Sequence, residues 1–109
     1  MNTEKILFHE TLYLGEGMSD AEASQLKSDL TSAPLKANVY VITISANEQD
    51  QLDIYHSKYL IQKYYKEHPP YIVGITRKQS EAYSLVEQMM QECVTARGDA
   101  NVRMYLIGE

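Results

Sequence analysis

The sequence predicts an α/β fold: one small domain in the order βαβαβαβ, with a four-stranded, mainly parallel sheet and three crossover helices. Three observations point there. At 109 residues the chain suits one core and would cramp two. Its apolar residues switch repeatedly between a period of two and a helical period. The stretches between candidate strands are long enough for helices, and strands joined that way run parallel through right-handed crossovers.

Residues 5–14 (KILFHETLYL) alternate, with Ile6, Phe8, Leu12 and Leu14 on one face of a first strand that Gly15-Glu16-Gly17 breaks. Glu10 falls in register with that face. Buried there it would be a candidate base, whereas a bulge near residue 10 turns it to solvent, which is the reading favoured for a long first strand. The spacing of Ser19 and Glu22 is that of a capping box and predicts a helix over 20–31, striped by Ala23, Leu26 and Leu30 and ended before Pro34. Residues 39–44 (VYVITI) form an unbroken, mostly β-branched run, as in a strand covered on both faces. Asn47 can cap a second helix that runs to about Lys66, where Pro69-Pro70 stops it.

Residues 71–76 (YIVGIT) read as another buried strand. Ser80 can cap a third helix ending at Gly98, and 102–107 (VRMYLI) alternate as a last, edge strand. The strands at 39–44 and 71–76 read as central, and the full strand order stays open.

The third helix is cleanly amphipathic, with Ala82, Leu85, Val86, Met89, Met90, Cys93 and Ala96 on one side. The second is apolar nearly all round: Leu52, Tyr55 and Tyr59 make one stripe, Ile54, Ile61 and Tyr65 another, Leu60 and Tyr64 a third. A domain this small has little to cover the extra sides except a second copy. Ile54, Leu60, Ile61, Tyr64 and Tyr65 are therefore the expected interface of a homo-oligomer, most simply a dimer. Tyrosine, present nine times beside one Phe and no Trp, suits such a contact. The rival arrangement takes residues 60–66 out of the helix and folds them back over the sheet.

Fifteen acidic against ten basic residues give a net charge of −5 and a pI near 5.1, which counts against nucleic acid as a partner. The single cysteine, Cys93, cannot form an internal disulfide and suits a reducing cytoplasm. The apolar run at the start is interrupted by His9 and Glu10, so it resembles neither a signal peptide nor a membrane span. A cytoplasmic protein without a membrane partner is the expectation.

In a parallel sheet the turns after the first three strands share one end, where open α/β folds bind ligands. Glu16, Ser19, Asn47, Arg77, Lys78 and Ser80 would meet there and could hold a small anion. Ser19, Asn47 and Ser80 serve equally well as plain helix caps, with Arg77 and Lys78 as solvated turn residues. Asp20 stands where a dinucleotide fingerprint needs its third glycine, and no P-loop is present, so no cofactor is implied. His9, His56 and His68 lack metal-ligand spacing. Asp53 and His56 would touch on a helix, more plausibly as an exposed pair than as a proton-transfer dyad. Cys93, on the apolar side of its helix, reads as core rather than nucleophile.

Two functions follow: a protein that works through contacts, as a regulatory or accessory subunit, or a domain or enzyme that binds a small anionic ligand at the strand ends.

Overall fold

In the computed structural model, which describes residues 6–45 and 51–108, four strands form one mixed sheet. They are β1 (Leu7–Leu14), β2 (Tyr40–Ile44), β3 (Leu52–His56) and β4 (Tyr71–Thr76), in the spatial order β1-β4-β2-β3. β1 runs parallel to β4, but β2 is antiparallel to both β4 and β3. The protein is thus a small α/β domain with a four-stranded sheet, and the sheet is mixed rather than mainly parallel. The helices are α1 (Asp20–Ser32), α2 (Pro34–Ala37), α3 (Lys63–Glu67), α4 (Gln79–Arg97) and α5 (Val102–Ile107), with a 3-10 turn at Ser57–Ile61.

The expected βαβαβαβ order fails at two places. The first is the second helix, whose cap Asn47 lies outside the described residues. Leu52–His56 form β3, a hairpin partner of β2, and helix returns only as the 3-10 turn and the short α3. The stripe residues Leu52, Ile54 and Tyr55 lie on the two faces of a strand, and Tyr59, Leu60, Ile61, Tyr64 and Tyr65 lie on the 3-10 turn and α3. Ile54 and Leu52 pack with Ile42 beneath α4, while Tyr55 packs with Val41 on the opposite side.

The second failure is residues 102–107, which are α5 and not an edge strand. The Asn101 side chain accepts from the Met104 amide at 3.1 Å, and Gly108 closes the helix at φ 74°. Val102, Tyr105 and Leu106, at helical spacing, pack against the core.

The rest follows the sequence closely. Strands β2 and β4 are central. Between the pairs Phe8↔Ile72 and Tyr13↔Gly74 the register of β1 slips, so this strand carries extra residues, and Glu10 is exposed on the irregular stretch. The α1 capping box forms: Ser19 Oγ accepts from the Glu22 amide at 3.2 Å, and the Glu22 carboxylate accepts from the Ser19 amide at 3.3 Å. Gly98 ends α4 in the left-handed region at φ 84°. Ser80, however, lies inside the first turn of α4, whose cap is Lys78 without a side-chain bond.

One face of the sheet packs Val41, Ile72 and Ile75 against Leu30 of α1 and Leu60 of the 3-10 turn. The other packs Ile42 and Val73 against Ala82, Met89 and Cys93 of α4 and Val102 of α5. The Cys93 thiol is fully buried and donates to the Asp99 carbonyl at 3.2 Å. Among the described residues no helix is long and apolar enough to cross a membrane.

Candidate functional site

Because β1 and β4 are parallel, the turns after them share one end of the sheet, and Glu16, Ser19, Arg77, Lys78 and Ser80 do gather there. β2 does not join them. Tyr40 pairs with Thr76 and Thr43 with Ile72, so β2 ends beside the start of β4, at the opposite end of the sheet. Asn47, beyond it, is outside the described residues. Glu16 and Ser80 line a cleft of about 240 Å³ together with Glu81 and Gln88. Arg77 is held by the carboxylate of Glu22, the same residue that closes the α1 capping box. Glu16, Glu22 and Glu81 therefore offset the positive charge an anion would seek at this end.

The five expected interface residues part company. Leu60 is core, at 4% exposure, and Ile54 is half-buried in β3 beneath α4. Tyr65 folds back against Tyr55, with ring centroids 5.1 Å apart. Ile61 and Tyr64 stay on the surface at 45% and 51% exposure, joined by Tyr59 from the same turn and Leu35 from the adjoining α2. The fold-back arrangement thus holds for Leu60 and Tyr65, and an exposed apolar patch remains beside them.

β3 adds to that patch a feature the helical reading hides. It is an edge strand, and its hydrogen-bonding phase is fixed at both ends. The Ser45 amide donates to the Gln51 carbonyl at 3.1 Å, and the Ser57 amide to the Val39 carbonyl at 2.8 Å. Bonded and non-bonded pairs alternate along an antiparallel ladder, so Asp53 and Tyr55 bond inward to β2. Leu52, Ile54 and His56 consequently direct their N–H and C=O groups outward. Among the described residues none of these groups meets another element. The pairing of β3 with β2 runs without a slip, whereas β1, the other edge, is bulged. A regular, unbulged edge is the kind that accepts another strand.

His56 and Asp53 do not form a dyad, since three residues apart on a strand they face opposite sides. His56 Nε2 lies 3.0 Å from Asn38 Oδ1, and its Nδ1 accepts from the Lys58 amide at 3.0 Å. Among the described residues no three His, Cys, Asp or Glu side chains converge to hold a metal.

Comparison with family models, with curated proteins and with solved structures returned no match.

Several influential residues escape sequence reasoning. Gln51 ties the start of β3 to α5: its amide donates to the Ala100 carbonyl at 2.8 Å and its carbonyl accepts from the Val102 amide at 2.5 Å. Tyr13 donates to Glu92 at 2.6 Å, joining β1 to α4. Burial first, and then this bond, push the Tyr13 hydroxyl above its ordinary range, while the bond holds the Glu92 carboxyl low. Burial likewise raises Tyr55 and Tyr65. Arg103, read as a strand residue, projects from α5 to the Ser45 carbonyl at 2.6 Å. The signal that could have found it is the helix-capping pattern of Asn101 and Gly108.

Proposed function

We propose that the protein works through contacts rather than turnover, pairing with a second copy along the outer edge of β3 and serving as a regulatory or accessory subunit. The observation that carries this reading is the regular edge at Leu52, Ile54 and His56, whose outward backbone groups have no partner among the described residues. A two-fold axis at Ile54 would set Ile54 against itself and Leu52 against His56 of the partner subunit, matching every outward donor to an acceptor. In that register Asp53 stands opposite Tyr55 of the partner subunit and not opposite another carboxylate, which would repel it.

Each ladder bond contributes about 0.5–1.5 kcal/mol. Association costs at least about 4 kcal/mol, so burial of Ile54 and the neighbouring rings supplies the surplus. The exposed Tyr59, Ile61 and Tyr64 lie on the segment that continues from β3. An anion site at the β1/β4 end has weaker support, since Arg77 is already engaged by Glu22.

Light scattering on a sizing column tests the pairing: twice 12.5 kDa in the micromolar range supports it, and 12.5 kDa throughout defeats it. Ile54→Pro removes an outward donor while sparing the bonds to β2, and should return the mass to that of one chain. Because proline could also disturb the fold, register is tested separately. Asp53→Cys chains mixed with Tyr55→Cys chains should cross-link faster than either variant alone.

A further inference from the structure

At the end of the sheet where β2 stops and β4 begins lies a cleft of about 330 Å³. We propose that it binds a flat, ring-bearing carboxylate with a hydrogen-bond donor at its far end, the carboxylate meeting Arg103 and the donor meeting Asp53. The inference does not rest on the pairing of β3.

The first ground is a cation without a counter-ion. The chain has three arginines, and two are matched: Arg77 with Glu22 and Arg97 with Asp99. Arg103 lines the cleft half-buried, and among the described residues it forms no ion pair. Its Nη2 donates to the Ser45 carbonyl, and its Nε is buried with no acceptor. A part-buried guanidinium presents donors in a planar fork suited to a carboxylate, and leaving it unmatched in a chain of net charge −5 is costly. The second ground is another unmatched polar atom in the same wall. The Tyr55 hydroxyl is buried without a hydrogen bond, with Thr43 beside it but outside bonding geometry. Buried polar groups are nearly always paired, so two orphans in one cleft mark a place where something else completes the set.

The third ground is shape. Tyr55 and Tyr65 lie 5.1 Å apart between centroids, Tyr64 meets Tyr65 edge-on at 5.1 Å, and His68 stacks on Tyr64 at 4.6 Å. Each ring fixes the next, giving a preformed aromatic wall for a flat body. Arg103 is anchored at Ser45, while Asp53 pairs with Thr43 two residues back along β2. At roughly 3.3 Å per residue these two positions on β2 are about 7 Å apart, which separates the cation from the carboxylate and leaves each to meet its own end of a ligand.

The probe is 4-hydroxybenzoate, titrated against the full chain by amide and tyrosine-ring chemical shifts. Saturable shifts centred on Thr43, Tyr55, Tyr65 and Tyr71, weakened tenfold or more by Arg103→Gln and less by Arg103→Lys, are the expected result. Benzoate, without the far donor, should bind several-fold more weakly, and inorganic phosphate should leave these resonances still. Tyr55→Phe should leave the free protein as stable as the parent while weakening the ligand. Binding by Arg103→Gln equal to the parent's, or equal response to phosphate and 4-hydroxybenzoate, would overturn the proposal. A monomeric mass with this binding intact would refute the pairing of β3 alone.

Discussion

Replacing Gln51 by alanine removes one side chain that holds two elements together. Its Oε1 accepts from the Val102 amide at 2.5 Å and more loosely from the Arg103 amide at 3.4 Å, and its Nε2 donates to the Ala100 carbonyl at 2.8 Å. Val102 opens α5 and is fully buried, so its amide is one of the helix-start donors that has no partner within the helix. The Val102 amide also donates to the Ala100 carbonyl at 3.0 Å and keeps that acceptor, so two lost bonds at about 1 kcal/mol each give a loss of about 2 kcal/mol. For a domain of this size that lowers the melting temperature by roughly 10 °C. Urea unfolding followed by circular dichroism measures the loss directly, with an unchanged slope showing that the native surface is preserved. Gln51→Glu keeps the acceptor for Val102 but turns a carboxylate oxygen against the Ala100 carbonyl, so it should cost at least about 1 kcal/mol. If Gln51→Ala unfolds within about 0.5 kcal/mol of the parent, the account of α5 as tethered through this side chain is wrong.

Two other outcomes follow from buried groups. The hydroxyls of Tyr13, Tyr55 and Tyr65 ionise at higher pH in the folded protein than in the unfolded chain. Their contribution to stability is therefore complete below the ordinary value of 10.0 and is lost as pH rises above it; Tyr13→Phe and Tyr55→Phe should each flatten that loss in alkaline unfolding curves. Cys93, fully buried and bonded to the Asp99 carbonyl, should react with a thiol reagent at the rate of transient opening, far more slowly than in urea; rapid labelling of native protein would remove it from the core.

The parts of the fold legible in the sequence are those where local chemistry and tertiary packing agree. Ser19 and Glu22 announce α1, Gly98 ends α4, and the apolar runs at 39–44 and 71–76 mark the central strands. The misreadings share a cause. Leu52–His56 contain Leu, Ile, Tyr and His, residues that suit a strand as well as a helix. Five residues are too few for their period to separate the two when Pro69-Pro70 is the nearest firm stop. Val102–Ile107 alternate by accident of composition, and the cap and terminal glycine outvote the alternation. One misread hairpin then moved the expected site. Turning β2 antiparallel sends its carboxyl end away from Ser19 and Arg77 and towards Arg103, a residue whose neighbours no local pattern reveals.

The same hairpin decides how the sheet meets its surroundings. Had 39–44 been followed by a crossover helix, that helix would have covered a face and a parallel strand would have followed it. A hairpin instead places β3 outermost, with its outward backbone groups unpaired among the described residues. An open edge invites indefinite stacking of sheets unless something limits it. Here the two edges differ. The slipped register of β1 leaves that side irregular, while β3 pairs with β2 without a slip, so the proposed pairing of like edges would use the regular edge among the described residues and leave none free. A two-fold contact of this kind is closed, because each copy uses the same surface that it offers. Asp53 would strengthen the proposed closure: in the register centred on Ile54 it would face Tyr55 of the partner subunit, whereas centring on Asp53 itself would oppose two carboxylates. In the proposed pairing, the bulge on one edge and the single charge on the other would favour a dimer over a fibre.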